Sequence, residues 1–186
     1  MRKLKLQMQV TVDGYVAGPG GQLDWMTFDQ EDAELLGLVN QLTDSSDTIL
    51  LGRKMTDEFV KYWEHAATQK DSAEYDFAQK MVRMPKVMFS KTRQQVEGKN
   101  IRVENGELVD AVKQLKSQPG KDLIVYGGAT FVSSLIAYGL IDELYFFVNP
   151  VAIGTGMQVF KEKKPLKLLV SKAYPCGIVV NSYLAK

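Results

Sequence analysis

The stretch LIVYGGATF, Leu123 to Phe131, holds the logic of the fold in miniature. Leu123, Ile124, Val125 and Tyr126 form a short continuous apolar run, the mark of a strand buried on both faces. Gly127 and Gly128 follow. Ala129, Thr130 and Phe131 then open an apolar pattern of helical period that continues through Leu135 and Tyr138. Glycine at such a place lowers stability unless the backbone needs its freedom. Either the turn from strand to helix is tight, or something outside the chain lies against that backbone.

The same alternation extends in both directions. Leu4, Leu6, Met8, Val10 and Val12 alternate with other residues and predict a strand over about 3–12. Asp13-Gly14 breaks it, and Gly18-Pro19-Gly20-Gly21 forms a loop. Leu35, Val39 and Leu42 predict a helix over roughly 30–43, with Asp29 and Asp32 as its N-terminal signal. A short strand at 47–51 ends in Gly52, and a helix begins at Arg53. Helical pattern returns at 71–82, a strand at 86–90, a brief strand at 101–103 and a helix at 107–116. Beyond the glycine pair lies an apolar strand at 144–149. Residues 166–184 read as two strands joined near Pro175-Cys176-Gly177. Strands alternating with helices predict an α/β fold with a mostly parallel central sheet, and the final hairpin adds antiparallel strands at its edge. No linker divides the chain, so one domain over residues 1–186 is expected.

Composition removes several kinds of chemistry. The formal charge of +1 gives no footprint for nucleic acid. One histidine and one cysteine, His65 and Cys176, cannot build a His/Cys zinc site or an internal disulfide, so no metal is expected. His65 reads as a solvated side chain, and Cys176 as a turn residue. There is no nucleophile elbow, P-loop or dinucleotide-binding GxGxxG. No apolar run is long enough for a membrane span, the N-terminus lacks the continuous apolar segment of a signal peptide, and a cytoplasmic chain is expected. Any enzyme built from this sequence must rely on a bound cofactor or on carboxylates.

Three segments share one design. The strand before Gly52-Arg53-Lys54-Met55 and the strand before Gly127-Gly128-Ala129-Thr130-Phe131 each end where a helix starts. The strand at 86–89 ends in Ser90-Lys91-Thr92-Arg93. In open α/β sheets ligands bind beyond the carboxyl ends of the strands, and helix N-termini there offer free N–H groups to phosphate. Taken singly, each segment is an ordinary turn or a solvated loop. Together they predict a pyrophosphate at Gly52, Arg53, Lys54 and Met55 and at Gly127, Gly128, Ala129, Thr130 and Phe131, with a further phosphate at Ser90, Lys91 and Arg93.

VTVDGYVAGPGGQLDW (10–25), TILLGRKMTDEF (48–59), KVMFSKTR (86–93) and VYGGATFVSSLIAYGLIDELYFFVNPVAIGTGMQVF (125–160) carry a resemblance. The sequence resembles the dihydrofolate reductase superfamily. Within it, the chain is similar to the C-terminal reductase domain of bifunctional riboflavin-biosynthesis deaminase/reductases and to their stand-alone forms. The resemblance implies a three-layer dihydrofolate reductase-like fold, NADPH as cofactor, and hydride transfer to a small pterin- or aminopyrimidine-like substrate such as 5-amino-6-(5-phosphoribosylamino)uracil. It implies a homodimer, a loop at 13–17 that closes over the nicotinamide, and a cis peptide at Gly127–Gly128. The chain departs from the family at Met55-Thr56, where a hydroxyl is displaced by one position, and it lacks the deaminase motifs.

Asp24, Asp29, Glu31 and Asp32 are the carboxylates within reach of such a site as proton donors. By resemblance the donor follows a tryptophan, which selects Asp29 after Trp25; Trp25 itself reads as a packing residue or as one that lies beneath the substrate. Asp29 serves equally well as a helix cap. Asp13 is expected to serve its turn with Gly14, and Asp142 and Glu143 to be solvated. The alternative to an enzyme is a nucleotide-binding module that kept the phosphate sites without the chemistry.

Overall fold

The computed structural model describes residues 1–27 and 32–185. One eight-stranded sheet runs in the order β4-β3-β2-β5-β1-β6-β8-β7. Its strands are β1 (Leu4–Thr11), β2 (Ser46–Gly52), β3 (Lys86–Phe89), β4 (Ile101–Glu104), β5 (Asp122–Val125), β6 (Glu143–Asn149), β7 (Leu166–Ala173) and β8 (Val179–Ala185). The helices are α1 (Ala33–Asp44), α2 (Arg53–Ala66), α3 (Tyr75–Arg83), α4 (Leu108–Ser117) and α5 (Ala129–Ala137). Pairing is parallel from β4 through β6 and antiparallel from β6 to β8 and β8 to β7. The α/β expectation, the parallel centre and the antiparallel C-terminal hairpin are all borne out.

Helices cover both faces, and the side-chain alternation of the strands sorts the core into two layers. Leu4, Leu6 and Met8 of β1, Leu50 of β2 and Leu123 and Val125 of β5 join Val112 and Leu115 of α4 and Val132 and Leu135 of α5. Ile49, Leu51, Ile124 and Phe147 point the other way, to Leu35, Val39 and Leu42 of α1 and Met81 of α3. Truncating a fully buried leucine such as Leu50 in a layer of this kind costs about 2–5 kcal/mol.

The N-terminal edge of the sheet is held by ion pairs, which corrects the expectation that Asp142 and Glu143 are merely solvated. Asp142 accepts a hydrogen bond from the Leu4 N–H at 2.7 Å and pairs with Lys116 at 2.6 Å. Glu143 is buried, pairs with Lys3 at 2.6 Å and accepts from the Tyr145 hydroxyl at 2.8 Å. Lys5 pairs with Asp122 at 2.8 Å, and Arg2 with Asp47. The helices that precede β2, β3, β5 and β6 leave their carbonyl ends and the strand starts at this edge. The opposite edge is therefore left to loops and helix N-termini.

Candidate functional site

Strands β3, β2 and β5 are neighbours and run parallel, with Gly52 level with Phe89 and Leu50 level with Val125. Their carboxyl ends emerge side by side, so the three sequence segments meet at one edge of the sheet. Helix α2 starts on Gly52 and α5 on Gly128, and neither N-cap residue supplies a side-chain hydrogen bond. No acidic residue occupies the first turn of either helix. The leading N–H groups of Arg53, Lys54 and Met55 and of Ala129, Thr130 and Phe131 thus lack the usual capping oxygen, and both helix dipoles present their positive ends there. Arg53 and Lys54 are exposed beside them. The displaced hydroxyl of Thr56 is fully buried and donates to the Gly52 carbonyl at 3.0 Å, so it faces away from this edge.

The glycines at this edge differ in what the fold asks of them. Gly128 has φ +83°, which side chains rarely adopt, and a Cβ there would come 3.3 Å from Met55 Sδ. The turn is made by that left-handed residue and not by a cis bond; the peptides among the described residues are all trans, which corrects the expectation for Gly127–Gly128. Gly127 has no positive φ, and a Cβ on it would meet nothing nearer than Met55 Sδ at 3.8 Å. Packing inside the protein does not require glycine at position 127.

The loop after β3 is preformed. Ser90 is buried, and its Oγ accepts from the N–H groups of Thr92 at 3.2 Å and Arg93 at 2.9 Å. Asn105, just after β4, donates to the carbonyls of Ser90 at 2.5 Å and Arg93 at 2.8 Å. Both cations of the loop already have partners. Arg93 Nη1 reaches both carboxylate oxygens of Asp57 on α2, at 2.8 and 2.9 Å, and Lys91 pairs with Glu107 at the start of α4.

The loop after β1 docks on residues 151–157. Asp13 accepts from the N–H groups of Gly154 at 2.8 Å and Ile153 at 3.1 Å and from the Thr11 hydroxyl at 2.5 Å, so it holds far more than its own turn. The Thr11 hydroxyl and these N–H groups keep its carboxyl below the usual range. Ala17 and Met157 bridge antiparallel: the Val16 N–H donates to the Met157 carbonyl at 2.9 Å and the Met157 N–H to the Ala17 carbonyl at 2.8 Å. Trp25 is buried, and its Nε1 has no hydrogen-bond partner among the described residues.

The expected donor Asp29, like Glu31, lies outside the described residues. Asp24 is exposed. The cap of α1 is Asp32, whose Oδ1 accepts from the Leu35 N–H at 3.0 Å. That bond holds its carboxyl below the usual range, which makes Asp32 a poor proton donor at neutral pH.

The sequence reading passed over Gln7, Gln9, Asn149, Asn105 and Asp57. Asn149, fully buried, donates to Gln9 Oε1 at 2.7 Å and accepts from the N–H of Thr27 at 3.1 Å and its hydroxyl at 3.2 Å. Gln7 Oε1 is buried without a partner. The signal for these was present. A central strand covered on both faces should be apolar on both, yet Lys5, Gln7, Gln9 and Thr11 line one face of β1. Buried polar groups left short of partners mark a place built for something other than packing.

Comparison with known proteins agrees with this architecture. The model of the RibD C-terminal domain family matches residues 2–180. The uncharacterised protein YyaP of Bacillus subtilis (strain 168) is 32% identical over 98% of this chain and 94% of its own length. A structure from Shewanella sp. PV-4, provisionally assigned to riboflavin biosynthesis, superposes with a TM-score of 0.73 at 21% identity, covering 100% of this chain and 99% of that one. The Thermotoga maritima diaminohydroxyphosphoribosylaminopyrimidine deaminase/5-amino-6-(5-phosphoribosylamino)uracil reductase gives 0.68 at 13% identity, covering 100% of this chain and 57% of that one.

Proposed function

The chain belongs to the RibD C-terminal domain family, and from that premise we propose that it is an NADPH-dependent reductase of a small heterocyclic substrate. The observation that carries the reading is the pair of helix starts without a capping side chain, at Gly52 and Gly128, on the adjacent strands β2 and β5. Those starts suit a pyrophosphate, because N–H groups and positive dipole ends converge on one edge. Arg53 and Lys54 add charge. Ser90, Lys91 and Arg93 form the candidate seat for a 2′-phosphate.

A bound NADPH supplies a hydride from C4 of its nicotinamide ring. The chain's own residues have the remaining tasks. The loop from Asp13 to Ala17, tied to residues 151–157, keeps water from the ring. The unpartnered Nε1 of Trp25 and Oε1 of Gln7 are a donor and an acceptor suited to the amide-like edge of a pterin or aminopyrimidine. Asp29 is the expected source of the proton. 5-Amino-6-(5-phosphoribosylamino)uracil is the named example of that class. The chain spans 57% of the Thermotoga maritima deaminase/reductase named for this compound. With a single cysteine, the enzyme fits the cytoplasm.

We also propose a homodimer through β7, the free edge of the sheet. Leu168, Leu169 and Val170 are 53%, 45% and 56% exposed there. Antiparallel pairing of two β7 strands about Leu169 sets Leu168 against Val170 and Lys167 against Ser171, which keeps lysine away from lysine.

Titration with NADPH and with NADH, followed by the fluorescence of Trp25 and Trp63, tests the reading. Micromolar binding of NADPH, weakened in Lys91→Ala/Arg93→Ala, is expected. Binding of neither dinucleotide overturns it. Binding of NADPH without turnover of any heterocycle would favour the non-catalytic module.

A further inference from the structure

The candidate phosphate loop does not present bare cations. Arg93 Nη1 donates to both oxygens of Asp57, so one guanidinium nitrogen is shared across the whole carboxylate. Lys91 is matched by Glu107. The two cations and two carboxylates cancel, so an anion approaching this loop meets a neutral cluster. A 2′-phosphate seated there must share Arg93 with Asp57 or displace it, and it must do so beside a second negative charge.

The two pairs are not equal. Arg93 and Asp57 have side chains 30% and 55% exposed, whereas Lys91 and Glu107 are 58% and 78% exposed. Solvent and salt weaken the second pair more than the first. The Arg93 pair also joins two elements fixed independently. Asp57 sits on α2, whose start is the other half of the site, and Arg93 sits in a loop held by Ser90 and Asn105. The backbone on both sides of the pair is thus held, which keeps the carboxylate within reach of the cation.

We infer that Asp57, with a smaller contribution from Glu107, is a built-in competitor for the cations of the 2′-phosphate seat and sets how strongly the protein prefers NADPH over NADH. The inference rests on the function proposed above. Asp57 neither touches the reacting atoms nor carries the cofactor. It acts through Arg93, by engaging Nη1 of the guanidinium and by repelling the phosphate dianion. NADH has a hydroxyl where NADPH has the phosphate, so its affinity is nearly blind to Asp57.

The test measures dissociation constants of NADPH and NADH for the whole chain, wild type, Asp57→Asn and Glu107→Gln, at two salt concentrations. Asp57→Asn is expected to tighten NADPH about fivefold to tenfold at low salt, a change of the size given by one close charge pair at a solvated surface. NADH should stay within about twofold, since no charge is gained or lost at its ribose. Glu107→Gln should tighten NADPH less, and both gains should shrink at high salt. Weaker NADPH binding in Asp57→Asn would mean that the carboxylate only orients Arg93, and the inference is overturned. An equal change for both dinucleotides overturns it as well. If wild type and both variants bind neither dinucleotide, the proposed function fails along with it; if they bind with an unchanged ratio, the inference fails alone.

Discussion

A Cβ added to Gly52 would stand 2.6 Å from the Cβ of Phe131 and 3.0 Å from its Cγ. The start of α2 is thus pressed against the first turn of α5, and Phe131 is in turn stacked on Phe89 with ring centroids 5.2 Å apart. Three adjacent strand ends are locked together by one aromatic side chain and one missing methyl group. Gly52→Ala is expected to destabilise the protein by about 1–3 kcal/mol through overpacking, read as a lower denaturation midpoint.

Gly127→Ala is the matched contrast. The fold leaves ordinary contact distance around the new methyl group, so the denaturation midpoint should stay nearly constant. Cofactor affinity should fall at least about tenfold, since a methyl group in a phosphate cradle removes close N–H contacts. Fluorescence titration of a variant with unchanged stability checks this. Equal affinity would return Gly127 to the status of an ordinary turn residue.

The carboxylates around α1 separate by role. Asp29→Asn is expected to lower kcat by about 10²-fold or more, the usual contribution of a general acid, with little change in NADPH affinity. Asp24→Asn should be silent. Asp32→Ala should lower the melting temperature, because the Leu35 N–H loses its acceptor. If Asp24 or Asp32 carried the kinetic effect and Asp29 did not, the donor would have to be reassigned.

Acid should unfold the protein through several carboxylates held below their ordinary range. Glu104 is held by the Arg102 guanidinium and the Gly106 N–H. In Asp122 and Glu143 burial pushes upward, but hydrogen bonds from Lys5 and Lys3, and from Lys3 and Tyr145, outweigh it. Asp13 and Asp32 are lowered as described. A depressed folded-state value means that the unfolded chain binds more protons near pH 4, so stability rises with pH there. The contribution is complete above the unfolded value of about 4 and is lost as pH falls through the folded values. Urea midpoints should be level from about pH 6 to 8 and drop steeply below about pH 4. Glu143→Gln should flatten part of that drop.

The β7 edge predicts an oligomer. Leu168→Lys/Val170→Lys should convert a dimer to a folded monomer, seen as halved mass in solution with unchanged circular dichroism. A wild-type chain that is already monomeric at micromolar concentration would remove the proposal.

Much of the fold was legible because its signals are local. Glycine after an apolar run marked the ends of β2 and β5, and helical spacing marked α1, α4 and α5 to within a few residues. The carbonyl-end location of the candidate site followed from alternation alone. What escaped was set by contacts between distant segments. No local pattern joins Asp57 to Arg93, Asn105 to Ser90, or Asp13 to Gly154. Asp142 and Glu143 look like surface residues until Lys116 and Lys3 arrive from elsewhere in the chain. The alternation of β1 gives a strand but not its surroundings; the position of β1 between β5 and β6 is what encloses Gln7 and half-buries Gln9.

That central position also governs how the chain is made. Leu4 is level with Leu123 and Lys5 with Glu143, and both neighbours of β1 are parallel to it. On the ribosome the first strand emerges long before either partner exists, and closing such wide loops is slow because their entropy must be lost before any pairing is gained. Leu4, Leu6 and Met8 therefore spend most of synthesis uncovered, a condition that invites chaperones and aggregation alike. The polar residues between them interrupt what would otherwise be a sticky apolar ribbon. Gln7, whose Oε1 is left over among the described residues of the folded chain, is one of the polar residues that break the apolar run of the nascent strand.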